Sequence, residues 1–140
     1  MPPDWAKLTA AGAVLPEPAP NGSQPETQYG LDAQRVVVWF ATSCDPNARA
    51  LPGRWWPLLR QHGRSGTSAL QTSGSVVDPA PAVLPMVASA AAASAARQPG
   101  TTRHLLKRAA ARQKAAPTDY GGAWNAFGSA LLSCRTPGFC

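Results

Sequence analysis

The helix-like segment from residue 31 to 43 constrains the fold more than any other part of the chain. It opens with Leu-Asp-Ala-Gln-Arg and continues through Val36, Val37, Val38, Trp39 and Phe40. Five apolar residues in a row are apolar enough to lie inside a domain, so this segment reads as a buried helix. Asp32 and Arg35 fall in its first turn and must stay close to water. Gly30, just before, lets the chain turn sharply into the helix. These demands place the N-terminal turn where a core meets a cleft. Residues three apart share a helix face, so the Arg35 guanidinium can reach the Asp32 carboxylate, and Trp39 continues that face one turn on. A positive neighbour keeps the Asp ionised. Two readings follow: a carboxylate poised for chemistry, or a first-turn acid that caps the helix or favours its dipole.

Around this segment the punctuation divides the chain. Residues 1–28 hold short apolar pieces separated by PEPAP and NGSQPE, and read as a Pro-rich loop or hairpin leading into the domain. DPN at 45–47 ends the first helix and offers Asp45 or Asn47 as the next N-cap. A second helix is expected over 48–61, with Leu51, Trp55, Leu58 and Leu59 at helical spacing. Trp55 and Trp56 could stack on a sugar, but core or interhelix packing is the better reading. A Ser-Gly turn within 67–77 predicts a small β-hairpin. An Ala-rich third helix is expected over 80–96, a fourth over 102–115 and a fifth over 121–133, followed by the tail 135–140. Short connections favour antiparallel αα-hairpins, so the pattern is all-α with one small hairpin.

Composition narrows the functional classes. With 140 residues, 15 Pro and 12 Gly, one domain with a modest core is the expectation. The net charge of +6 comes largely from scattered Arg and Lys. The basic set Arg103, Lys107, Arg108, Arg112 and Lys114 reads as a solvated helix face, and without a recognisable module the charge does not point to nucleic acid. Cys44, Cys134 and Cys140 form no CxxC pair, and His62 and His104 stand alone, so neither a metal nor a cofactor is expected. Cys44 and Cys134 close the first and last clear helices, which leaves a bridge between them open. No apolar run reaches the ~18 residues of a membrane span, and no basic segment followed by an apolar core opens the chain.

The order Tyr29, Gly30, Asp32, Ala33, Arg35, followed by an apolar run with Trp39, resembles the Y-x-D-A-x-R segment of glycoside hydrolase family 8. That family includes endoglucanases and the cellulases of bacterial cellulose synthesis. PDWAKL at 3–8, SALQTSGSVVDPAPAVLPMVASA at 68–90 and DYGGAWNAFGSALL at 119–132 are similar to further family segments and occur in the family's order. The resemblance implies an (α/α)6 barrel that hydrolyses β-1,4-linked glucans, chitosan or xylan with inversion. It implies that Asp32 stands at the general-base position. Arg35 would then hold Asp32 charged and oriented, and Tyr29 would position water or sugar.

A complete barrel needs more than twice 140 residues, so 29–134 would be the C-terminal part of one, with about five of its twelve helices. The family's general-acid Glu belongs to an N-terminal third that has no match here. Inverting hydrolysis needs two carboxyl groups about 6.5–9.5 Å apart, so the expectation is a chain inactive alone. The implied partners are a β-glucan or related polysaccharide and a separately encoded N-terminal half. Family members are commonly exported, which implies a secreted or cell-envelope setting. Exposed apolar faces would make it oligomeric or loosely packed. The alternative is a non-catalytic helical protein that binds carbohydrate or serves as an interaction module.

Overall fold

A computed structural model describes residues 1–24 and 26–133. The chain is mostly helical, with two small antiparallel sheets beside the helices. β1 (Trp5–Leu8) and β2 (Val14–Glu17) form a hairpin in the register Trp5↔Glu17 to Leu8↔Val14. β3 (Gln28–Tyr29), β4 (Thr67–Gln71) and β5 (Val76–Pro81) form the second sheet, with β4 in the middle. The helices are α1 (Leu31–Ala41), α2 (Pro46–Ala50), α3 (Trp56–His62), α4 (Val83–Ala95), α5 (Pro99–Ala115) and α6 (Asp119–Leu132), with a 3-10 turn over Leu51–Trp55.

The Ala-rich α4 is the hub. Its residues Val83 to Ala93 are all buried, the signature of a helix surrounded on every side. It packs against α1, α3, α5 and α6, and its alanines let these neighbours come close. At the α6 crossing a Cβ on Gly128 would stand 2.6 Å from Cγ1 of Val87, so glycine sets that approach. Val37 and Val38 of α1 and Leu105, Leu106 and Ala109 of α5 complete the core. Trp55 and Trp56 are half-buried against it, in agreement with a packing role.

Several element bounds differ from expectation for local reasons. The single helix expected over 48–61 is three pieces, because Pro52 and Pro57 each lack the N–H that a continuous α-helix would need. Asp45 does cap α2, accepting from the Asn47 N–H at 2.9 Å. The hairpin strand runs on to Pro81, so α4 begins at Val83 and not at 80. Pro79 and Pro81 hold the residues before them extended, which prolongs the strand. α5 starts earlier than expected, with Pro99 in its first turn, where a missing N–H costs nothing. Thr118 caps α6 by accepting from Gly121 N–H at 2.9 Å, which moves that start to Asp119. Of the loop or hairpin expected over 1–28, the hairpin is found as β1–β2, and the segment meets the second sheet at β3.

Cys44 is disulfide-bonded. Cys134, Cys140 and the tail lie outside the described residues, and with them the Cys44–Cys134 bridge that the sequence left open. No helix among the described residues is long and apolar enough to cross a membrane.

Candidate functional site

The first turn of α1 is held from a distance. Asp4, just before β1, accepts hydrogen bonds from the backbone N–H groups of Gly30 at 3.0 Å and Ala33 at 2.8 Å. The Gln28 side-chain amide approaches the same carboxylate at 3.4 Å. Asp4 therefore does the work of an N-cap residue, although it lies 26 residues before the helix cap position. Gly30 itself is extended, with φ −111° and ψ −151°. Its need for glycine is proximity, because a Cβ there would fall 2.2 Å from Oδ2 of Asp4. The expected sharp turn is thus replaced by a close approach.

This arrangement takes helix capping away from Asp32. The capping role belongs to Asp4, and Asp32 pairs with the Arg35 guanidinium, its only hydrogen-bond partner among the described residues. Both side chains are 43% exposed, so the pair faces solvent and is not a buried structural bridge. Its first-turn position still suits the positive end of the helix dipole.

Asp32 lines a cleft of about 360 Å³ with Gln24, Gln28, Leu31, Ser68 and Asp78. That volume is at the small end for ligand sites, and the lining is mostly hydrogen-bonding groups. Three elements bring it together. Gln34 of α1 is buried and donates from Nε2 to the Ser68 carbonyl at 2.8 Å, which docks the helix on β4. The β4–β5 register pairs Ala69 with Asp78, which carries the second carboxylate to the same opening. Asp78 also accepts from the Ala80 N–H at 2.9 Å, closing a local turn.

Tyr29 is placed differently from the role expected of it. Its side chain is 2% exposed and belongs to the core, out of reach of a sugar or of bulk water. Its hydroxyl has no hydrogen-bond partner among the described residues. Burial, and then the nearby Asp4 carboxylate, push its ionisation far above the ordinary tyrosine value. A phenol that stays neutral and buried is a packing group. Of the three expected site residues, the structure brings Asp32 and Arg35 together at the cleft and leaves Tyr29 behind it.

Trp39 follows Asp32 and Arg35 on the outer stripe of α1 and is 53% exposed. It meets Trp124 and Phe127 of α6 at ring-centroid distances of 6.1 and 6.3 Å. Tyr120 joins this cluster through Trp124 at 6.3 Å.

Asp4, Gln24, Gln28, Ser68 and Asp78 were not visible as site residues in the sequence. Ser68 and Asp78 come to the cleft from β4 and β5, Gln24 and Gln28 from the chain before α1, and Asp4 caps the helix without lining the cleft; no local motif marks them. Among the described residues no cluster of His, Cys, Asp and Glu could hold a metal ion. The fold and site define a mostly helical protein with a small polar cleft, carrying two carboxylates, at the start of a buried helix. No family model matches the chain, and neither a curated protein nor a solved structure matches it.

Proposed function

We propose that the cleft at the start of α1 is the base side of a β-1,4-glycan hydrolase site, carried on part of an (α/α)6 barrel. The observation that carries this reading is the Asp32–Arg35 pair. The carboxylate is exposed at a cleft, freed from capping by Asp4, and held by a guanidinium. In inverting hydrolysis such a carboxylate accepts a proton from the water that attacks the anomeric carbon. Arg35 fixes its direction, while Gln24, Gln28, Ser68 and Asp78 offer donors and acceptors to sugar hydroxyls.

Two carboxyl groups at suitable spacing must also include a protonated acid for the leaving oxygen. Asp78 is exposed and already accepts from the Ala80 N–H, so the acid is assigned to a carboxyl group outside the described cleft. The chain alone then binds glycan without cleaving it. The test is release of reducing ends from a soluble β-1,4-glucan by the purified chain and by Asp32→Asn. No release above background is expected from either. Turnover that depends on Asp32 would overturn the claim of inactivity, and failure to bind any β-1,4-glucan would overturn the glycan reading itself.

A second reading, a non-catalytic interaction module, draws on a different place. The α5–α6 groove is lined by Arg97, Arg103 and Lys107, with no carboxylate among the described residues of its wall. It predicts polyanion binding that weakens steeply with salt.

A further inference from the structure

We infer that the groove between α5 and α6 docks an acidic amphipathic helix of a partner protein. This rests on the interaction reading of that groove and names the occupant it takes.

The groove encloses about 1180 Å³, above the ~300–1,000 Å³ of a small-molecule pocket, so its occupant is extended. Its floor is apolar, with Leu106 of α5 and Leu132 of α6 only 9 and 8% exposed. Arg103, Leu106, Lys107 and Ala110 follow the i, i+3, i+4, i+7 spacing of one α5 stripe. Two exposed cations one turn apart thus stand beside an apolar pair at the same spacing. Arg97 adds a third cation where α4 leads into α5. From Pro99 to Ala110 the α5 wall is roughly 16 Å long, about three helical turns.

Charge names the occupant. The side chains of Arg97, Arg103 and Lys107 have no ion-pair or hydrogen-bond partner among the described residues. Counter-charge is missing from the sequence around them as well, since between Asp78 and Asp119 the chain has six Arg and Lys and no Asp or Glu. Asp119 opens α6 at the end away from the groove, whose α6 wall begins at Ser129. The complement is an anionic surface with an apolar stripe, repeated over several turns. A helix with Leu or Val at i, i+4 and i+7, flanked by Glu or Asp, has that pattern. A long-chain carboxylate brings a single charge to three cations. Single-stranded nucleic acid has the repeated charge, but the described wall holds no aromatic ring on which a base could stack. A second copy of this chain does not supply the helix, because none of its described helices carries two acidic residues.

The test is fluorescence anisotropy of the full chain with a labelled peptide of about four helical turns, carrying Leu at i, i+4, i+7 and i+11 flanked by Glu. A second peptide has every Leu replaced by Ser. The Leu peptide should bind at least about tenfold more tightly than the Ser peptide. Arg103→Glu with Lys107→Glu should weaken it by about tenfold, since each exposed pair becomes a repulsion. Ala110→Gln, which sets a polar group on the apolar row at unchanged charge, should weaken the Leu peptide alone. All three positions are exposed, and circular dichroism checks that each variant keeps its fold. Equal binding of the two peptides would uphold polyanion binding and overturn the helix. Binding of neither would remove the interaction reading as well. Binding of the Leu peptide untouched by the double charge reversal would place it elsewhere and overturn the inference. A single-stranded RNA that binds more tightly than the Leu peptide, and is lost on the same reversal, would make the groove a nucleic-acid site and overturn it too.

Discussion

Replacing Asp4 by Ala removes the group that closes the first turn of α1. Two backbone N–H groups, those of Gly30 and Ala33, lose their acceptor, and both residues are buried. An average N-cap side chain is worth ~1 kcal/mol, and a buried N–H left unpaired costs ~1–3 kcal/mol. The two effects overlap, so the expected loss is about 2–3 kcal/mol. Both N–H groups donate to Oδ1, so Asp4→Asn keeps an acceptor for the two and should lose only the charge assistance, about 1 kcal/mol. Urea unfolding followed by far-UV circular dichroism, with the slope held common, reads both values. The cleft should loosen as well, because Asp32 stands in the turn that Asp4 anchors. Hydrogen exchange would show faster opening at Gly30 and Ala33 before the rest of α1. A loss under about 0.5 kcal/mol for Asp4→Ala, with unchanged exchange at both amides, would refute the long-range cap.

Further predictions follow from the same geometry. Tyr29→Phe removes a buried hydroxyl without a partner, so stability at pH 7 should hold or rise by up to about 1 kcal/mol, and glycan binding should not change. The raised ionisation of Tyr29 also sets a pH dependence. The folded state keeps a proton that the unfolded state releases above about pH 10, so stability is complete below that pH and falls as pH rises beyond it. Alkaline melts should show this decline in the native chain and a smaller one in Tyr29→Phe. Gly128→Ala sets a Cβ 2.6 Å from Val87 and should cost about 1–3 kcal/mol by thermal or urea melting; a neutral result would mean that α4 and α6 are not in close contact. Arg35→Ala breaks a half-exposed pair and should change stability by under about 1 kcal/mol while weakening glycan binding, which separates a binding role from a structural one.

What the sequence made legible is the part carried by local pattern. The buried helix after Gly30, the Asp32–Arg35 pairing, the hairpin near 67–77 and the Ala-rich helix all depend on spacings of two to four residues, and each is found close to its expected place. The proline effects at 52, 57, 79 and 81 are local too, but their outcome depended on which neighbour claimed the chain. Pro79 and Pro81 could precede a helix or end a strand, and pairing with β4 decided for the strand. The rest is non-local. Nothing near Asp4 shows that it caps a helix, and nothing near Asp78 shows that it shares a cleft with Asp32. Tyr29 illustrates the same limit: beside Gly30 and Asp32 it reads as a site residue, yet strand alternation turns its ring to the core while the next turn faces the cleft.

Whether the Asp32 cleft receives β-1,4-glycan, as proposed, is read by an NMR titration of the labelled chain with cellotetraose. Saturable shifts are expected at Gln28, Asp32, Arg35, Ser68 and Asp78, weakened by Asp32→Ala, with Tyr29 and the basic residues of α5 little affected. No shift at these residues up to millimolar sugar, or shifts confined to the α5–α6 groove, would contradict it.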